Sequence, residues 1–172
     1  MFYFFARALP QGTLEHEMHL IQEYSDPQFR SQVIELWDGV FGYETEHNRP
    51  SVAIDKKLAV NDGLFFVALH EGAVIGTALA GYDGHRGWLY SVAVHAELRN
   101  QGVGRALVRH AEMALESRGC MKINLQILQG NARVAAFYES LGYAVEPRIS
   151  MGRKITTNIP PTASQVDLTI EL

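Results

Sequence analysis

The stretch Arg99-Asn100-Gln101-Gly102-Val103-Gly104-Arg105-Ala106-Leu107 decides how this chain is read. Upstream, Trp88 to Val94 is rich in aromatic and β-branched residues, a strand signal, and Leu98 is the last apolar residue before the glycines. Downstream, Val103, Leu107, Ala111, Ala114 and Leu115 fall on one helical face. A helix that begins at the glycines leaves its first backbone N–H groups without internal partners and places the positive end of its dipole there. Anionic oxygens fill such a place well. Gly102 and Gly104 permit backbone angles and a close approach that a Cβ would forbid, and Arg99 and Arg105 add charge at either end. A purely structural turn at the start of a helix uses the same residue types, so the loop alone leaves both readings open.

Spacing separates the phosphate-binding loops that compete for this segment. A Walker loop ends in Gly-Lys-Ser/Thr, whereas this chain has Gly104-Arg105-Ala106. A dinucleotide fingerprint needs a third small residue where Leu107 stands. What is left is Arg-x-x-Gly-x-Gly. A second block follows, Gly130-Asn131-Ala132-Arg133-Val134-Ala135-Ala136-Phe137-Tyr138-Glu139-Ser140-Leu141-Gly142-Tyr143. Asn131 suits a helix cap, Val134, Tyr138 and Leu141 share a face, and Gly142 suits the left-handed residue after a helix.

The two blocks, in this order and separated by a strand-like run, resemble the GNAT superfamily of acetyl-CoA-dependent N-acetyltransferases. The resemblance implies an α/β fold: a central, mostly antiparallel sheet of six or seven strands with a splayed fourth and fifth strand and helices on both faces. The loop Gly81 to Gly87 and the turn Arg118-Gly119-Cys120 also resemble a bacterial YpeA-like subgroup.

At 172 residues the chain has the size of one domain. With 47% hydrophobic and 20% charged residues it matches neither a disordered nor a membrane-spanning composition. Fifteen Lys plus Arg against nineteen Asp plus Glu give a formal charge of −4, and no basic stripe extends beyond the glycine loop, so a nucleic-acid partner is not expected. The apolar opening Met1 to Leu9 is shorter than the ~20 residues a bilayer span needs and lacks the basic start of a signal peptide. No membrane partner and a cytoplasmic location are expected. A single cysteine, Cys120, excludes an internal disulfide framework and reads as a small buried hydrophobe, and no Cys/His spacing suggests a metal.

Along the chain, residues 18–24 read as a first strand, Asp26-Pro27 as the opening of a helix carrying Phe29, Val33, Leu36, Trp37 and Val40, and residues 51–60 as a second helix. Residues 64–69 and 74–80 are strands joined by the hairpin turn His70-Glu71-Gly72-Ala73. Residues 88–94 form the fourth strand, 122–127 the fifth, and 145–151 a sixth, interrupted by Pro147. This divides the chain into an N-terminal extension, 1–17, an acetyltransferase domain, 18–155, and a C-terminal extension, 156–172. Within the last, Gln165 to Leu172 alternates as a half-buried strand that completes its own sheet or pairs with a partner's edge. A homodimer through the extensions or a sheet edge stays open.

The resemblance also implies roles. Arg99, Asn100, Gln101, Gly102, Val103, Gly104 and Arg105 would grip the pyrophosphate of acetyl-CoA. The main chain of Val92 and Val94 would pair with its peptide-like pantetheine arm, and Asn131 would touch the cofactor, although a capping role explains Asn131 equally well. A bulge near residues 90–92 would open the fourth strand from the fifth. Tyr138 would touch the thiol end of the cofactor and protonate the departing thiolate, its reference pKa of ~10 standing against ~8.5 for a thiol. The N–H of Val92 would polarise the thioester carbonyl. Many relatives carry a Glu on the fourth strand where this chain has Tyr90 and Ser91, which puts a direct carboxylate base in doubt. Asp83 and His85 acting through water, Tyr90, and Glu44 or Glu46 are the residues left to serve the acceptor, an amine of a small molecule, peptide or protein.

Overall fold

In a computed structural model, residues 19–42 and 48–155 are described, so Glu44, Glu46, both extensions and the 165–172 octet lie outside the described residues. The elements run β1 (Leu20–Glu23), α1 (Arg30–Phe41), α2 (Pro50–Val60), β2 (Phe65–His70), β3 (Ala73–Tyr82), β4 (Gly87–Val94), α3 (Val103–Glu116), β5 (Ile123–Leu125) and α4 (Ala132–Glu139). Among the described residues five strands form one sheet in the order β1-β2-β3-β4-β5. The first four are antiparallel neighbours, and β5 joins β4 in parallel.

Two apolar layers sandwich the sheet. On one face Val103, Leu107, Val108, Ala111 and Leu115 of α3 pack on Phe66, Ala78 and Leu89, with Tyr138 and Leu141 of the α4 region completing the layer. On the other, Val33, Leu36 and Trp37 of α1 and Ile54 of α2 cover Phe65, Val67 and Leu79. The β2–β3 hairpin turns at Glu71 and Gly72, both at positive φ (50° and 82°), the backbone that suits the twist of a two-residue hairpin.

Two expectations need correction. Residues 145–151 do not form a sixth strand: Arg148 N–H bonds back to Glu146 O at 2.8 Å, making a turn around Pro147, which has no N–H to give a ladder. The segment runs beside β5 through side chains, Gln126 with Ser150 and Lys122 with Glu146, and leaves Val145 and Ile149 exposed. The first helix begins at Arg30, not at Pro27; residues 26–29 form a turn, and Asp26 is taken up by Tyr24 Oη and Arg30 Nε, each at 2.6 Å.

Candidate active site

Three features of β4 and its surroundings create an opening. The β3–β4 register jumps from Thr77↔Ala93 to Leu79↔Tyr90, so β4 carries one extra residue, and Ser91 sits at φ 48°. That is a bulge at Ser91–Val92, within the 90–92 stretch that the family resemblance implied. One consequence is that Tyr90 and Ala93, three residues apart, both face the α1/α2 side, Ala93 in its core and Tyr90 beside Lys57 of α2. The β4–β5 ladder, meanwhile, covers only Gly87–Leu89 against Ile123–Leu125, so the two strands have no pairing beyond Leu89.

Just past the free part of β4 stands the start of α3. Gly102, at φ 87°, turns the chain into the helix, and the first intrahelical bond runs from Ala106 N to Gly102 O. The amides of Val103, Gly104 and Arg105 therefore point out of the helix end without helical acceptors, the arrangement that attracts anions. Arg99 Nε donates to Val94 O at 3.2 Å and ties the loop to β4. Arg133 Nη2 reaches Asn100 Oδ1 and Arg105 Nη2 reaches Ser140 Oγ, both at 3.4 Å, linking the loop to α4. Gln101 donates to Glu97 O. A Cβ on Gly104 would lie 3.4 Å from the Phe137 ring and 3.6 Å from Val94, so the smallness of Gly104 serves the α3–α4 contact.

Asn131 caps α4, its Oδ1 accepting from Val134 N at 3.3 Å, which leaves its side-chain N–H₂ and the second lone pair of Oδ1 for a ligand. Tyr138 is 8% exposed, and burial pushes its hydroxyl up to about 12. Among the described residues no protein group hydrogen-bonds that hydroxyl. Tyr138 and Asn131 line an open groove of about 1280 Å³ together with Trp88, Leu125, Glu112 and Tyr143. Val92, Val94 and the 99–105 loop do not line it.

Asp83 and His85 sit elsewhere. Asp83 Oδ1 accepts from His85 N at 2.8 Å and Arg86 N at 2.6 Å in the β3–β4 turn, and those amides, Arg86 first, hold its carboxyl below the usual range. The turn is separated from Val92 by five residues of β4 after Gly87, about 16 Å of strand. Tyr90 donates to Ala80 O at 3.3 Å, and its ring lies 5.8 Å from the Lys57 ammonium. Lys57 is itself buried, bonded to Asp62 Oδ2 at 2.7 Å and Ala80 O at 2.5 Å, and desolvation lowers its pKa.

Two networks escaped the sequence reading. Glu112, buried on the apolar face of α3, accepts from Tyr143 Oη and from Arg109 Nη1, both at 2.8 Å, and Tyr143 packs edge-on to Tyr138 at 5.5 Å. A carboxylate at an otherwise apolar helical position was the available signal. Thr77 Oγ1 accepts from Trp37 Nε1 at 2.8 Å and donates to Ser91 O at 3.0 Å. Nothing local in the sequence marks that pair. Among the described residues no group of three or more His, Cys, Asp or Glu is placed to hold a metal, and no helix is long and apolar enough to cross a membrane.

Comparison with known proteins gives the arrangement a family. The sequence model of the acetyltransferase (GNAT) family matches residues 18–143. The ribosomal-protein-S18-alanine N-acetyltransferase of Escherichia coli is similar at 26% identity and TM-score 0.59, over 73% of this chain and 77% of that one. The glucosamine-6-phosphate N-acetyltransferase of Arabidopsis thaliana shares the fold at 22% identity and TM-score 0.60, over 81% of this chain and 100% of that one. A transcriptional regulator from Bacillus halodurans C-125 shares it at 24% identity and TM-score 0.62, over 81% and 99%. The chain belongs to the acetyltransferase (GNAT) family, whose members use acetyl-CoA.

Proposed function

We propose that this protein transfers the acetyl group of acetyl-CoA to a primary amine of a small molecule, peptide or protein, by direct attack while both substrates are bound. The observation that carries the reading is the parting of β4 from β5 at the Ser91–Val92 bulge, next to a helix start whose amides lack internal partners. In this reading the 99–105 loop holds the diphosphate, with Arg99 and Arg105 supplying charge. Val92 and Val94 offer main-chain groups to the amide-bearing arm, as an added strand would be bound. The Val92 N–H donates to the thioester oxygen as negative charge grows there. Tyr138, a phenol that is protonated at neutral pH, donates its proton to the sulfur as the C–S bond breaks and regains one, through water, from the proton that the attacking nitrogen sheds.

Tyr90 lines the acceptor side, on the face opposite the α3 layer, which its contact with Lys57 supports. A free alkylamine with pKa ~10.4 is neutral about once in a few thousand molecules at pH 7, so the incoming amine loses its proton to water on that side. Asp83 is ill suited as the direct base: its carboxyl is already committed to two amides and weakened as a base by them. The YpeA-like subgroup is proposed on the 81–87 loop and the 118–120 turn alone. A transcriptional regulator shares this fold, so the fold by itself does not require turnover, and the second reading is a catalytically idle acyl-CoA-binding or sensing module.

A panel of primary amines, assayed by release of the CoA thiol, separates the two. Turnover with any amine supports transfer. Calorimetric CoA binding without turnover on any amine overturns it in favour of sensing, and absence of CoA binding overturns both.

A further inference from the structure

We propose that Thr77 is a positioning residue for acetyl transfer, its hydroxyl fixing and polarising the one peptide unit that joins Ser91 to Val92. The inference rests on the role given above to the Val92 amide. Thr77 lies in the middle of β3, is fully buried, and has apolar neighbours on both sides, where valine would fill the same volume. A hydroxyl there costs free energy unless both its donor and acceptor capacities are used. Both are: Trp37 Nε1–H donates to Oγ1 at 2.8 Å, and Oγ1–H donates to Ser91 O at 3.0 Å.

Ser91 is where β4 departs from its ladder. Neither Ser91 nor Val92 has a Cα partner on β3, and Ser91 holds φ at 48°, a backbone that residues with a Cβ adopt at a cost of about 1 kcal/mol or more. The Thr77 hydrogen bond to Ser91 O helps to hold this bulge. Ser91 C=O and Val92 N–H belong to the same trans peptide, so they point in opposite directions. Anchoring the oxygen on Thr77, inside the sandwich, aims the Val92 hydrogen away from the buried side. Hydrogen bonds in a chain also polarise one another, so Trp37 to Thr77 to Ser91 makes the Val92 N–H a stronger donor at its far end. Trp37 sits on α1, which links a helix of the acceptor side to the amide that acts on the donor.

The test uses full-length protein, acetyl-CoA carrying an isotope-labelled acetyl carbonyl, and no amine. In the wild-type protein the infrared band of the bound carbonyl moves to lower frequency than in water; Thr77→Ser keeps that position, and Thr77→Val returns it toward the free value. With an amine present, Thr77→Val lowers kcat about tenfold, less than the loss on deleting an oxyanion donor outright, with CoA affinity unchanged. A wild-type band that does not move overturns the Val92 role and this inference with it. A wild-type band that moves and stays in place in Thr77→Val overturns the role of Thr77 alone. Thr77→Ala, judged by the same band, decides the matter if the valine variant does not fold.

Discussion

Replacing Tyr138 with Phe removes one oxygen from a buried ring and tests the proposed acid directly. Burial lifts the phenol to about 12, whereas a free thiol sits near 8.5. Full transfer to a free thiolate would therefore run uphill by about 5 kcal/mol. Tyr138 is useful only while the C–S bond is breaking and the sulfur is still gaining charge, which puts its contribution at the lower end of general-acid catalysis, about a hundredfold in kcat. The hydroxyl has no protein hydrogen-bond partner among the described residues, so Tyr138→Phe should change the unfolding free energy by no more than about 0.5 kcal/mol. CoA affinity should be unchanged by calorimetry, because the ring is retained. The pH dependence has a definite sign. The folded-state value lies above the unfolded one, so this group's contribution to stability is whole below pH ~10 and is lost as pH rises through about 12. For the same reason Tyr138 places no alkaline limb on the kcat profile below about pH 11. Steady-state release of the CoA thiol with a turned-over amine reads the rate. A Tyr138→Phe protein whose kcat stays within about twofold of wild type, a loss too small for general-acid catalysis, would rule Tyr138 out as the acid.

Gly104→Val drives methyl groups into the Phe137 ring, which a Cβ alone already approaches to 3.4 Å, and should cost about 1–3 kcal/mol in denaturant melts, with Phe137→Leu in the same chain restoring part of it. Asp62→Ala leaves the buried Lys57 ammonium with the Ala80 carbonyl and no counter-charge, also removes the acceptor of Leu64 N, and should cost about 3 kcal/mol, whereas Lys57→Met, which removes the buried charge itself, should cost less than about 1.5 kcal/mol; the opposite order in urea titrations would contradict the account of that pair. Tyr143→Phe leaves one oxygen of the buried Glu112 without its donor and should lower stability by about 1–3 kcal/mol. Glu112→Gln, whose amide oxygen still accepts from Tyr143, should be milder by thermal melt.

Much of the candidate site was legible because its signals are local. Arg99 to Arg105 lies within one turn and the helix that follows it, and the glycines, the missing Walker lysine and the flanking arginines are neighbours in the chain. The same holds for the cap at Asn131, the left-handed Gly142 and the turn at Glu71-Gly72, where side-chain and backbone preferences of adjacent residues dominate. The 145–151 segment misled for a related reason. It read as an edge strand interrupted by Pro147, but a strand needs backbone partners, and a turn at Pro147 removes the chance of a ladder.

Residues a few positions apart were enough for the succession of strands and helices and for the helix that starts at Gly102, whereas Tyr138 was singled out by the resemblance to the acetyltransferase family and its role is a proposal. Packing across the sheet, and not spacing along the chain, put Tyr90 on the same face as Lys57 and brought the Thr77 hydroxyl within hydrogen-bond reach of Ser91 O. Trp37 and Thr77 are 40 residues apart, Thr77 and Ser91 are 14, and Glu112 and Tyr143 are 31. Buried polar groups choose partners by proximity across packed layers, and no spacing along the chain encodes which hydroxyl or carboxylate will be shut in together.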